Sequence, residues 1–191
     1  MADAFEVGAT ALRHHTQPKV IWCFGRSGAG KTTIAAGLAD RFRARSISTL
    51  HLDGESVRSG LSLDLGFSSR DRAENHRRIA ELAGIARQQG VQVVVSTMAP
   101  LRVHRDTVES ILPNSVCWIH VDSSPAVCEA RDPKLLYRRA RDGRIPDFLD
   151  FPFEAPEADE RVWSVSTESM SPKESIQFLW TRLQSEPCEP G

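Results

Sequence analysis

The chain has 191 residues, 40% of them hydrophobic and 26% charged, with a formal net charge of −1. That length predicts one globular domain with a substantial buried core. The near-zero charge makes no electrostatic case for nucleic acid or an anionic membrane, and no apolar run approaches the roughly 20 residues of a membrane span.

The N-terminal stretch MADAFEVGATALRHH has early acids and no apolar core, so it does not read as a secretory signal. KVIWCFG (Lys19 to Gly25) is a continuous apolar run, as expected of a strand covered on both faces. KTTIAAGLADRFRAR follows with helical periodicity, and SISTLHLD (Ser46 to Asp53) is the next strand. SSRDRAENHRRIAELAGIARQQG predicts a long helix, with serines at its cap, Asp71 and Glu74 early and Gly90 at its end. VQVVVST (Val91 to Thr97) is a β-branched strand, LRVHRDTVESIL a helix, and SVCWIHVD (Ser115 to Asp122) a fourth strand. SSPAVCEAR reads as a capped helix with Pro125 in its first turn. After DPKLLYRRARDGR and a loop rich in proline and acids come RVWSVST, a fifth strand, and SPKESIQFLWTRLQ, a closing helix. Strands alternating with helices predict an α/β fold, a parallel five-stranded sheet flanked by helices. There is no internal repeat or linker, and residues 185–191 are expected to be a flexible tail. Cys23, Cys117, Cys128 and Cys188 form no CxxC pair, which predicts reduced thiols in a cytoplasmic protein. His14, His15, His76 and His104 have no metal-ligand spacing and are expected to be solvated or packed.

GRSGAGKT (Gly25 to Thr32) fits the pattern G-x-x-x-x-G-K-[ST] between an apolar strand and a helix, the context its chemistry requires. Glycines there let backbone N–H groups turn toward phosphates, and the helix N-terminus adds partial positive charge. Candidate nucleotide contacts are Gly25, Ser27, Gly28, Ala29, Gly30, Lys31, Thr32 and Thr33. Lys31 is expected on the β- and γ-phosphates and the Thr32 hydroxyl on Mg²⁺. The loop implies a nucleoside triphosphate but does not by itself separate an ATPase, a GTPase and a kinase. No N-K-x-D segment follows, so the usual guanine reader is missing. VQVVVST ends in Ser96 and Thr97 rather than an acid. If that strand lies beside the P-loop strand, the supporting carboxylate must come from elsewhere, and Asp53, at the end of STLHLD, is the candidate. Strand ends of a parallel sheet face one crevice, where Asp53 could accept an acceptor hydroxyl's proton or orient a metal-bound water. The plainer reading of Asp53 is a helix cap.

HLDGESVRSGLSLDLGFSSRDRAENHRRIAEL (His51 to Leu82) and CEARDPKLLYRRAR (Cys128 to Arg141) carry a further pattern. In order and spacing they resemble the adenylylsulfate (APS) kinase family. Its signature runs roughly L-D-G-D-N-[VI]-R-x-G-L-x-x-D-L-G-F-S and D-R-x-E-N-x-R-R-I, with a lid segment C-E-x-R-D-P-K-G-L-Y-x-x-A-R. The resemblance extends from about Lys19 to Glu157. It implies a single P-loop kinase domain over 1–191, with an N-terminal extension at 1–17 and a small helical lid at 131–157. It implies transfer of the γ-phosphate of ATP, with Mg²⁺, to the 3′-hydroxyl of APS, giving PAPS and ADP. Lys31 and Asp53 would be catalytic, Asp53 also reaching the metal through water, and Arg131 would join the ATP contacts. Glu55, Arg58, Arg72, Asn75, Lys134 and Leu135, with Arg78 as a further candidate, would meet the acceptor. Phe67 and Phe148 would stack on its adenine, or pack as ordinary core and lid residues. The implied partner is a small nucleotide, with no nucleic acid and no membrane, and relatives of this kind suggest a homodimer.

The chain departs from the family at Glu55 and Ser56, where the pattern has Asp and Asn, and at Ala99, where it has serine before proline. DFLDFPFEAPE (Asp147 to Glu157) is about two residues shorter than the family's N-F-T-G-I-D-S-P-Y-E-x-P-E and lacks its T-G-I core. That loop motivates a second reading, a kinase of another nucleotide's ribose 3′-hydroxyl such as a cytidine diphosphoramidate. A third is a nucleotide-sensing domain without turnover, against which Lys31, Thr32, Asp53 and Arg58 all stand. The chain beginning at Met1 is read as complete, with no fused sulfurylase expected.

Overall fold

The computed structural model describes residues 19–144 and 152–185. Among these the elements run β1 (Val20–Phe24), α1 (Lys31–Arg43), β2 (Thr49–Asp53), α2 (Gly54–Arg58), α3 (Ser69–Gln88) and β3 (Gln92–Ser96). They continue as α4 (Arg102–Ile111), β4 (Val116–Asp122), α5 (Pro125–Arg131), α6 (Leu136–Arg141), β5 (Val162–Ser166) and α7 (Pro172–Ser185). All strand pairs are parallel, in the order β2-β3-β1-β4-β5. The expected five-stranded α/β fold is therefore present.

β1 is central because all five of its residues are buried. Side chains alternate across a strand, so Val20, Trp22 and Phe24 enter one core layer and Ile21 and Cys23 the other. The first layer joins the sheet to α3 and α4 through Ile79, Ala80, Ala83 and Val108. The second joins it to α1 and α7 through Ile34, Leu38, Leu179 and Trp180. His76 and His104 are packed residues of the first face, their rings stacked with centroids 5.0 Å apart. Burial pushes them down to about 3 and about 4, so both are neutral at ordinary pH.

The two shortest helices were not anticipated from periodicity. α2 has five residues, too few to display a 3.6-residue pattern, and forms because Asp53 caps it. α6 starts after Leu135, held at φ 53°, and Asp132 accepts hydrogen bonds from the N–H groups of Tyr137 and Arg138 at 3.2 and 3.0 Å. The expectation of reduced cysteines holds for Cys23 and Cys128, which are free, but fails at Cys117, which is disulfide-bonded. Cys188, the proposed extension 1–17 and positions 186–191 lie outside the described residues, as does the 145–151 part of the expected lid.

Candidate active site

The C-terminal ends of β1, β2 and β3 open onto a cleft of about 870 Å³. β3 lies between β1 and β2, with Ser96 in register with both Cys23 and Asp53. The condition under which Asp53 becomes the supporting carboxylate is therefore met.

β1 runs into the phosphate-binding loop, and α1 begins at Lys31 with no acid in its first turn to repel an anion. Ser27, Gly28, Ala29, Gly30, Lys31, Thr32 and Thr33 all line the cleft. Gly28 sits at φ +81°, and a Cβ there would come 2.5 Å from the Cys128 carbonyl oxygen, so α5 braces the loop from behind. Gly25 is not in the lining; a Cβ on it would lie 2.4 Å from the Val121 carbonyl oxygen. The Lys31 ammonium donates to the Arg26 carbonyl at 2.7 Å. Burial pushes that ammonium down to about 8, against the raising effect of the nearby Cys128 sulfur.

Asp53 is the helix cap of the plainer reading, and its second oxygen bonds the threonine of the phosphate-binding loop. Oδ1 caps α2, accepting from the N–H groups of Glu55 and Ser56 at 3.1 and 3.5 Å. Oδ2 accepts from the hydroxyls of Thr32 at 2.8 Å and Ser96 at 2.9 Å. The Ser96 hydroxyl also lies 3.1 Å from His51 Nε2. Burial alone would raise the Asp53 carboxyl, but the bonds from Thr32, Ser96 and Glu55 N–H outweigh it and hold it below its ordinary value. Thr32 and Asp53 form a hard, all-oxygen donor set that suits Mg²⁺, since a threonine oxygen can ligate a cation while its O–H still donates to Asp53. Among the described residues no three His, Cys, Asp or Glu side chains gather as a metal cage. Two protein oxygens are too few to fill the octahedral shell of Mg²⁺, and they leave its other positions to phosphate and water oxygens.

The wall beyond Asp53 is basic. Glu55, Arg58, Phe67, Arg72 and Asn75 line it, α2 and α3 supplying all but Phe67. Ser68 starts α3 by accepting the Asp71 N–H at 3.1 Å, which fixes Arg72 and Asn75 on the buried face. Arg58 donates to the Gly66 carbonyl at 2.7 Å and Arg72 to the Phe67 carbonyl at 2.9 Å. Both guanidinium groups lie against the Phe67 ring, 4.8 and 5.6 Å from its centroid. Arg78 is committed elsewhere, to Asp64, Glu74 and the Leu61 carbonyl, and does not line the cleft.

From the segment expected to be the lid, Arg131, Pro133, Lys134 and Leu136 line the cleft. Arg131 donates to the hydroxyl and carbonyl of Thr167 at 3.0 and 2.6 Å, and Thr167 Oγ1 donates to the Ala29 carbonyl at 2.9 Å. Lys134 pairs with Glu55 on the opposite wall, so the longer carboxylate at position 55 bridges to the lid. Arg141 pairs with Glu129. Leu136, rather than Leu135, lines the cleft, and Phe148 lies outside the described residues. The proline- and acid-rich loop is fastened behind the site by Arg102, to Glu157 and Asp159, and by buried Arg105, to Glu160 at 2.6 and 2.8 Å. Ser96 and Thr167 were not among the expected site residues, and Tyr137 stood in the sequence only as the tyrosine of the lid signature; Thr167 alone had no signal.

A P-loop on the central strand, a carboxylate two strands away bonded to its threonine, and a basic wall beneath a lid define a P-loop phosphotransferase. The profile of one family, adenylylsulphate kinase, matches residues 17–163, and the chain belongs to that family. The adenylyl-sulfate kinase of Vibrio cholerae is 47% identical over 80% of this chain and 73% of its own length. That of Acaryochloris marina is 39% identical over 85% and 82%. The Mycobacterium tuberculosis APS kinase solved with AMPPNP and APS superposes with a TM-score of 0.82 at 33% identity, covering 88% of this chain and 99% of that one.

Proposed function

We propose that this chain transfers the γ-phosphate of ATP to the 3′-hydroxyl of APS, yielding PAPS and ADP. The observation that carries this reading is the Thr32–Asp53 bond, which joins the nucleotide loop to the acceptor wall within one cleft. In this reading the N–H groups of the loop cradle the triphosphate, and Lys31 exchanges the Arg26 carbonyl for the β- and γ-phosphates. Thr32, with Asp53 bonded to it, would hold Mg²⁺, which would supply neutralisation of the phosphate charge. Arg58, Arg72 and Asn75 hold the acceptor's phosphosulfate and ribose, and Phe67 offers a flat face to its base. Asp53 stays ionised at neutral pH and is a weak base, so its task is to orient the 3′-hydroxyl for in-line attack. That suffices, because phosphoryl transfer depends mainly on positioning and charge compensation. Arg131 and Lys134 complete the enclosure from the lid and exclude water.

The reading is tested with analogues of the acceptor. 2′-Deoxy-APS should be phosphorylated and 3′-deoxy-APS should not, with phosphorus NMR placing the new monoester on the 3′-oxygen. Turnover of 3′-deoxy-APS would overturn it. A homodimer and a cytoplasmic location are proposed alongside; one structural neighbour, from Thiobacillus denitrificans, is described as a hexameric APS kinase, and it shares 26% identity with a TM-score of 0.67. Sedimentation velocity of the purified chain decides the assembly. None of the described helices is long and apolar enough to cross a membrane.

A further inference from the structure

Tyr137 is the chain's single tyrosine, and it belongs to the lid rather than to the nucleotide loop. Its position is set locally. Asp132 caps the start of α6 through the N–H groups of Tyr137 and Arg138, and the ring packs half-buried against the core layer that contains Cys128. From there its hydroxyl donates to the carbonyl oxygen of Ser27 at 3.1 Å. Burial pushes the phenol up to about 12, so it remains a proton donor throughout the useful pH range.

The bond acts on the Ser27–Gly28 peptide, and both of its residues line the cleft. A trans peptide is planar, and its C=O and N–H point to opposite sides. Holding the Ser27 carbonyl back toward α6 therefore turns the Gly28 N–H forward. α5 occupies the back of the same turn, with the Cys128 carbonyl against Gly28, and the front is the cleft. Gly28, at φ +81°, has the backbone freedom to flip once that carbonyl is released. We propose that Tyr137 is a positioning residue for ATP: it orients the Ser27–Gly28 peptide so that the Gly28 N–H meets a phosphate oxygen, and so makes the grip on the triphosphate depend on a docked lid. Thr167 holds the Ala29 carbonyl in the same sense from the end of β5. The inference rests on the kinase reading above and adds a lid residue to its nucleotide site.

The experiment is calorimetric binding of a non-hydrolysable ATP analogue and of adenosine to the full chain and to Tyr137→Phe, which loses only the hydroxyl. One hydrogen bond of ordinary strength predicts a Kd for the analogue about 3- to 10-fold weaker in the variant, with adenosine binding unchanged. A melting temperature within about 2 °C of the parent chain is expected, because the ring and its packing remain. Equal analogue affinity in both proteins, or equal weakening for adenosine, would overturn the inference while leaving the kinase reading intact. Failure of the parent chain to bind the analogue would instead overturn the kinase reading and the inference with it. A second measurement needs no substitution. Biosynthetic 3-fluorotyrosine gives one ¹⁹F resonance, which should shift with the triphosphate analogue and stay put with adenosine; a resonance unmoved by the analogue contradicts the proposal.

Discussion

Lys31 and Asp53 are both shifted below their ordinary values, for different physical reasons. Burial lowers the ammonium to about 8, while hydrogen bonds lower the carboxyl despite its burial. The sign at Lys31 is simple: the cation exists below about pH 8 and is lost above it. KM for ATP should therefore climb above pH 8, approaching tenfold per unit, whereas kcat at saturating ATP should move less, because bound phosphate raises the ammonium again. A pH profile of KM that is flat from 7 to 10 would contradict this. Between about pH 8 and the ordinary 10.5 the unfolded chain binds the proton more tightly than the folded one, so this lysine makes stability rise with pH there. It destabilises the fold at neutral pH. Lys31→Ala should then keep or slightly raise the melting temperature while turnover falls by about 100-fold or more. Asp53 carries the reverse sign. Its stabilising contribution is present above the ordinary 3.8 and is lost only as the pH falls further. Both residues were legible in the sequence, Lys31 from the loop motif and Asp53 from its place at a strand end. The capping of α2 by Asp53 was legible too, since an acid before GES is a good helix cap.

At the scale of elements, α3 carries much of the basic wall of the cleft, and α4 fastens the loop that ends at Glu160. Ser68 satisfies the first turn of α3, and Ser68→Ala should cost about 1 kcal/mol, or roughly 2–4 °C in melting temperature for a chain of this size. Arg105 is buried and grips Glu160 with two hydrogen bonds while also donating to the Ala99 and Glu154 carbonyls. Arg105→Ala strands a largely buried carboxylate, and a loss of about 3 kcal/mol is expected by thermal or urea unfolding. A loss below about 1 kcal/mol would mean that Glu160 simply turns to water. The long helices and the strands were readable because each shows its period over enough residues. α2 and α6 are too short for that, and Arg105–Glu160 joins positions 55 apart, which no local pattern records. The same limit hid Cys117, whose spacing to the other cysteines carries no signal of pairing.

For the molecule as a whole, the decisive fact is the strand order. Placing β3 between β1 and β2 brings Ser96 and Asp53 to the mouth of the P-loop, with the basic wall of α2 and α3 on the same cleft. Alternation of strands and helices predicts a parallel sheet but not which strand lies next to which, so this adjacency is not legible in the sequence. The contacts of Thr167 and Tyr137 with the loop were illegible for a related reason, although Tyr137 itself stands in the lid signature: each meets the loop through a backbone carbonyl more than a hundred residues away in the chain. Arg58 tests the division of the cleft into two sides. Arg58→Ala should raise KM for APS about tenfold or more and leave ATP binding within about twofold, since the loss is of a charged hydrogen-bonding group on the acceptor wall. Equal losses for both substrates would assign Arg58 wrongly. The most direct measurement of the whole account is ADP release by the purified chain with ATP and Mg²⁺, with APS, without acceptor, and with a panel of other nucleotides. Strong stimulation by APS, abolished in Lys31→Ala, is the predicted result. No stimulation by APS together with turnover of a pyrimidine diphosphate derivative would contradict it and move the acceptor elsewhere.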